Sequence, residues 1–285
     1  IGSSHIMQIS SNRQNKSLTS LCSSLKNLGV SGGSLEDYLA MSNIILKNTE
    51  FLPKTVVFGI DPWSLNFGKD KRWSGYEQDY FEMKNKLSLK YPSSNLNENN
   101  ESSKDLLINL FNLQYLKRSL SVISKPKIEA VTSVSKFNQN SGLALPVTLP
   151  DGSYIYSAEF IGKAKNSIKT IPGKNSYKIV NNFYYQDVAI KTFEKLIQHL
   201  INSKITVAFI LTPYHHRVWN HTEQPIIKAF NIIEGKVHDI AKQYKIQVIG
   251  SYNPDNIGCL ENEFYDGMHP MDTCLMKLEN RSISY

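Results

Sequence analysis

The chain has 285 residues, with 32 Lys and Arg against 25 Asp and Glu and a formal charge of +7. Its 41% apolar and 20% charged residues are those of an ordinary globular protein with material for a core. The basic residues are scattered lysines without a dense block, which argues against a nucleic-acid groove and leaves room for mild attraction to an anionic surface or glycan. No run approaches the ~20 apolar residues of a membrane span.

The first residues, Ile1-Gly2-Ser3-Ser4-His5, read as a strand end running into a turn, with residues 5–9 able to continue as a helix. No secretory leader is visible, and a beginning inside a strand leads us to expect further chain upstream, with room for an anchor or export signal. Residues 17–30 suggest a short strand, followed by the Ser31-Gly32-Gly33-Ser34 turn and a helix. Ser34 is its N-cap and Glu36 and Asp37 stand in its first turn. Leu35, Tyr38, Leu39, Ile44, Ile45 and Leu46 supply its apolar face.

Residues 54–60, after Pro53, form a β-branched apolar run of strand length that Asp61-Pro62 stops. The middle differs in texture, with a polar, low-complexity loop at 92–104, a helical pattern at 105–120 and a Pro150-Asp151-Gly152 turn before a short strand. We read residues 67–182 as an inserted cap within a single domain spanning 1–285. Residues 187–202 then read as an amphipathic helix, 204–211 as a buried strand, 223–244 as a helix and 246–250 as a strand. Alternation of strand and helix implies βαβ units and a parallel sheet.

Cys22, Cys259 and Cys274 lack metal-ligand spacing and read first as isolated thiols; pairing of Cys259 with Cys274 depends on the fold. The chemistry-bearing motifs stand at the two ends of the chain. A serine after a glycine at a strand-to-helix junction holds its hydroxyl exposed, with its own N–H able to meet an oxyanion. In Asp266-Gly267-Met268-His269, acid and imidazole three residues apart can face one cleft, and Pro270 suits a helix start. Together the two motifs offer a nucleophile, a base and an orienting carboxylate.

Two further glycine blocks, Asn27-Leu28-Gly29-Val30-Ser31-Gly32 and Gly59-Ile60-Asp61, fall at strand ends between them. The four blocks, in this order, resemble the SGNH (GDSL-type) hydrolase superfamily. The resemblance covers both ends of the chain and not its middle. It implies a three-layer α/β/α sandwich around a central parallel sheet, flavodoxin-like, with a cap. It also implies Ser4 as nucleophile, His269 as base, Asp266 as orienting acid, and an oxyanion hole from the Ser4 and Gly32 N–H groups. No metal or organic cofactor is called for.

Two positions depart from the family pattern. Ser3 replaces an Asp that is not the nucleophile. Asp61 stands where the family has Asn, and an ionised carboxylate has no hydrogen to donate to an oxyanion. Asp61 is protonated, turned elsewhere, or bypassed in favour of the backbone N–H groups. Similar Gly-Ser-Ser and Asp-Gly-x-His variants occur in SGNH-like proteins of bacterial surface-polymer acylation. The resemblance therefore implies acyl hydrolysis or transfer on acetyl esters of a cell-envelope carbohydrate, beside a membrane acyltransferase partner. Two rivals are a polysaccharide-binding module that assists such a partner and a plain small-molecule esterase. Trp63, His215 and His216 follow strand ends and are candidate substrate contacts, against a plain reading as core or solvated loop residues. Tyr154 and Tyr156 suit sugar stacking or a small cap core.

Overall fold

A computed structural model of the chain describes residues 1–13, 17–48, 52–67, 75–89, 146–168, 185–220 and 225–285. The chain divides into two compact units, Ile1–Leu89 with Ser135–Tyr285 and Lys90–Val134; the second lies outside the described residues. The expected loop at 92–104 and helix at 105–120 also fall there. Of the expected cap at 67–182, only residue 67 and residues 75–89 and 146–168 are described.

The first unit is mixed α/β, with a mostly parallel central sheet and helices around it. Among the described residues its helices are α1 (Leu35–Lys47), α2 (Glu77–Lys86), α3 (Ala158–Ile168), α4 (Asp187–Asn202), α5 (His216–Trp219), α6 (Pro225–Tyr244) and α7 (Asp272–Leu275). The central strands, in sheet order, are β1 (Thr55–Gly59), β4 (Thr206–Leu211), β5 (Gln247–Gly250) and β6 (Ser282–Ile283). A separate hairpin joins β2 (Val147–Thr148) to β3 (Tyr154–Ile155). The first two central pairings are parallel, with Phe58 opposite Phe209 and Phe209 opposite Val248. β6 adds antiparallel to β5, so the sheet is not wholly parallel as expected. No helix among the described residues is long and apolar enough to cross a membrane.

Local sequence accounts for these elements. β4 is apolar on both faces and buried from Val207 to Leu211, as an inner parallel strand must be. α1 starts at Ser34, where Asp37 Oδ2 accepts the Ser34 backbone N–H at 2.7 Å. α4 has the expected bounds and buries Phe193, Leu196, Ile197 and Leu200. Phe193 meets the rings of Phe58 and Phe209 at centroid distances of 5.4 and 5.6 Å, which joins α4 to the centre of the sheet.

The opening residues extend this sheet. Gly59 N–H donates to Ile1 O at 2.8 Å, and the Ile1 nitrogen donates to Val57 O at 2.9 Å. On the other side Val30 N–H donates to Gly2 O at 2.8 Å. Ile1-Gly2 therefore lies between β1 and the Gly29-Val30 step. The expected strand in 17–30 is reduced to this one bridge, because turns at Leu18 and a polar run separate its apolar residues. The expected helix over 5–9 is a series of tight turns instead. Ile6 N–H donates to Ser3 O and Ile9 N–H to Ile6 O, while Asn27 Nδ2 donates to the carbonyls of both Ile6 and Ile9. An outside side chain thus takes carbonyls that a helix would use for itself.

Candidate active site

Three chain segments leave neighbouring parts of the sheet on the same side. Gly2-Ser3-Ser4-His5 follows the inserted strand, Ser31-Gly32-Gly33 follows Val30, and Ile60-Asp61 follows β1. Such an end of a parallel sheet is where α/β proteins place ligands. Gly32 has φ of +70°, a left-handed turn conformation that a Cβ would strain. At Gly33 a Cβ would sit 2.8 Å from Gly2 O, so glycine lets the turn press against the Ser4 strand.

Ser4 Oγ lies 3.0 Å from His269 Nε2, and His269 Nδ1 lies 2.8 Å from Asp266 Oδ2. The three residues expected from the two chain ends are thus brought together in one line. An ionised carboxylate only accepts hydrogen bonds. It therefore fixes the His269 proton on Nδ1 and turns the Nε2 lone pair to the serine. Asp266 Oδ1 also accepts the backbone N–H groups of Met268 and His269, each at 2.8 Å. Burial by itself would raise the Asp266 carboxyl; the hydrogen bond and charge of His269 and these backbone donors outweigh it and hold the group below its ordinary value.

The Asp266–His269 step is a tight loop with many ties. Tyr265 N–H donates to His269 O at 2.9 Å, and His215 N–H donates to Gly267 O at 3.0 Å. Phe264 and Pro270 form a bridge, and Pro270 does not start a helix: α7 begins two residues later. Cys259 and Cys274 are joined in a disulfide that encloses this loop, in contrast to the first reading of isolated thiols. Closing a loop of about 15 residues stabilises a fold by about 3 kcal/mol in the chain-entropy account. The Cys259→Ser/Cys274→Ser chain is expected to unfold at distinctly lower urea concentration than the native chain. Equal midpoints would show that the bridge adds nothing.

The segment after Ser4 is anchored just as firmly, by residues for which the sequence reading held no role. Asp151 Oδ2 accepts from Ser10 Oγ at 2.6 Å and from Ser11 N–H at 2.9 Å. The buried Arg13 donates to Gln8 Oε1 at 2.9 Å and to Tyr154 O. Tyr154 N–H donates to Met7 O at 2.7 Å. The β2–β3 hairpin thus clamps the turns behind the serine. The signal for Asp151 was its place in the Pro-Asp-Gly turn; a lone Arg13 gave none.

Among the described residues, the N–H groups of Ser4 and Gly32 have no hydrogen-bond acceptor, whereas Gly33 N–H is taken by Val30 O at 2.8 Å. The expected donors are therefore available. Asp61 is not one of them. Its Oδ1 lies 2.6 Å from His5 Nδ1, with both side chains buried, so of the three outcomes left open for Asp61 the carboxylate is turned to another partner.

Rings surround the Ser4–His269 line. Trp63 is half-buried and donates from Nε1 to Gly33 O at 3.1 Å, with its ring 5.3 Å from that of His5. Tyr156 and Phe160 stack at 4.3 Å and face His269 edgewise at 5.9 and 6.2 Å. Burial, then the Asp266 charge, pushes the Tyr156 hydroxyl far up, so it stays neutral. His215 and His216 have other work. His215 is buried and its Nδ1 caps α5 by accepting from Arg217 N–H at 3.0 Å, while His216 Nε2 meets Asp255 Oδ1 at 3.0 Å. No group of three or more His, Cys, Asp or Glu among the described residues is placed to hold a metal ion. Comparisons of the chain with family models, with curated proteins and with solved structures found no match.

Proposed function

We propose that the protein is a serine-dependent acyl-ester hydrolase or O-acyltransferase with the three-layer architecture of the SGNH superfamily. The observation that carries this reading is the continuous line from Ser4 Oγ through His269 to Asp266, with contacts of 3.0 and 2.8 Å. Ser4 Oγ attacks the ester carbonyl carbon while its proton passes to His269 Nε2. The carbonyl oxygen becomes an oxyanion between the N–H groups of Ser4 and Gly32. The tetrahedral adduct collapses, the ester C–O bond breaks, and His269 returns the proton to the departing oxygen. Water or a sugar hydroxyl then gives its proton to His269 and attacks the acyl-Ser4 carbonyl; as the acyl–Oγ bond breaks, His269 returns that proton to Ser4 Oγ and the serine is free again.

The acid-base residue marks the side where the alcohol leaves and the acceptor enters. On that side the half-buried Phe160 covers the buried Tyr156, and both stand beside His269. The free face of Phe160 suits the apolar face of a sugar ring, which supports an acylated carbohydrate as substrate. Trp63 donates to Gly33 O beside the oxyanion turn and would border the acyl group; a small acyl group such as acetyl follows from the resemblance. The Cys259–Cys274 bridge favours an oxidising compartment, in keeping with work at the cell envelope beside a membrane acyltransferase.

The test is capture of an acyl-enzyme. Incubation with an O-acetylated glycan, an acid quench and peptide mass analysis should find acetyl on the peptide containing Ser4. A protein that binds the glycan and never carries acetyl on Ser4 would instead be a binding module. Phe160→Ala should raise KM for the glycan ester several-fold, about 1 kcal/mol for a lost stacking contact, with little change in turnover of p-nitrophenyl acetate. An equal effect on both substrates would remove the sugar platform from the proposal.

A further inference from the structure

The acyl-transfer chemistry leaves a buried titratable pair beside Ser4 without a task. His5 directly follows the proposed nucleophile, and Asp61 ends the segment after β1. Their side chains are 0% and 2% exposed, and Nδ1 and Oδ1 are 2.6 Å apart. The contact lies off the line of a directed hydrogen bond, and neither Asp61 oxygen accepts a directed one from a described residue. His5 is thus the close electrostatic partner of that carboxylate. After burial, the Asp61 charge is the next largest influence pushing up the hydroxyls of Tyr38 and Tyr252, so its field is felt across the sheet end.

An unpaired carboxylate at that place would work against the reaction. Negative charge forms on the substrate oxygen beside Ser4, and Asp61 reaches the same sheet end through its contact with His5, so a carboxylate free to turn toward that oxygen would repel it. The His5 ring also touches the machinery on its other side. It stands perpendicular to the His269 ring at 5.1 Å, and Trp63 and Tyr214 hold it edgewise at 5.3 and 5.4 Å. One imidazole therefore bridges the Asp61 carboxylate and the proposed base.

We propose that His5 is a positioning residue: it holds the Asp61 side chain at the end of β1, aside from the oxyanion donors, and seats the His269 ring. A carboxylate is thereby tolerated at the end of β1 without opposing the oxyanion. This inference rests on the acyl-transfer reading of Ser4 and His269.

The test is a double-mutant cycle read by covalent inactivation with a fluorophosphonate, with the maximal rate and the half-saturating concentration fitted separately. His5→Phe keeps a ring and loses the nitrogen that meets Asp61. It should slow the maximal rate about tenfold or more with little change in half-saturation. Adding Asp61→Asn removes the carboxyl that His5 had held and should recover most of that rate, a larger gain than Asp61→Asn gives in the native chain. A purely structural role for His5 would not be rescued by a change of charge at Asp61. If His5→Phe fails to fold, His5→Gln is compared in the native and Asp61→Asn backgrounds with the same expectation. His5 variants that react at the native rate, or that stay equally slow with Asp61→Asn, overturn the proposal alone. A native chain never labelled at Ser4 overturns it together with the acyl-transfer reading.

Discussion

Ser4→Ala is expected to abolish covalent labelling by a fluorophosphonate and to lower ester turnover by on the order of 10⁴-fold or more. Its neighbour cannot take its place. Ser3 is fully buried, and its Oγ is occupied in accepting the His5 N–H at 3.2 Å. Ser4 is only partly buried, and its Oγ is the hydroxyl that meets His269 Nε2. The substitution should leave the fold alone. The turns after Ser4 are held by Asn27 and Asp151, and Ile1-Gly2 before it by backbone bonds to Val30 and β1, none of which uses the Ser4 hydroxyl. A side chain outside such features contributes within about 0.5 kcal/mol. Intact-mass measurement after probe treatment, paired with urea unfolding, separates the two effects. Labelling that persists in Ser4→Ala would place the nucleophile elsewhere. Lost labelling with a shifted unfolding midpoint would assign the serine a structural part as well.

The sequence and the structure agree where physics is local. The apolar run of β4, the period of α4 and the Ser34 start of α1 are each set by residues within one element, and each appears within a residue or two of its expected bounds. The reading weakens where distant partners decide. Residues 5–9 have a pattern compatible with a helix, but Asn27, 18 to 21 residues away, captures the carbonyls of Ile6 and Ile9 and fixes turns instead. β6 is two residues long and exists because β5 offers it an edge, so no periodicity announced it.

The proposed site divides in the same way. Ser4, Asp266 and His269 could be named because two weak end motifs stood with two glycine blocks in the order that resembles the SGNH superfamily. The partner of Asp61 could not, although it lies only one residue beyond Ser4 in the chain. That pairing depends on Ile1-Gly2 running beside β1, which brings His5 and Asp61 together across 56 residues. The enclosing disulfide was visible only as two cysteines flanking the acid-base motif. Their pairing needed the path of the chain through Glu263 and Met271, whose backbone groups bond at 2.8 Å and close that loop.

Asp266→Asn is expected to cost about 10⁴-fold in kcat with KM changed only a few-fold. The amide oxygen can still accept the N–H groups of Met268 and His269, so the loop should keep its shape. The amide nitrogen, however, stands where Oδ2 accepted the Nδ1 proton, and it can only donate. The imidazole answers by carrying its proton on Nε2, which points at Ser4, and the lone pair needed to take the serine proton is lost. The negative charge that would stabilise the imidazolium is gone as well. Stability should respond separately, and its sign follows from the depressed pKa of Asp266. A carboxyl whose pKa is lower in the folded than in the unfolded chain stabilises the fold above the unfolded value, about 3.9. That contribution is lost as pH falls through the lower folded value. The native chain should therefore exceed Asp266→Asn in urea resistance by a constant margin near neutrality, and the margin should close only in acid below about pH 3.9. A margin that closes between pH 7 and 5 would assign the stabilisation to a different group. Retention of kcat within tenfold of the native value would remove Asp266 from the proposed machinery and leave Ser4 and His269 to act as a dyad.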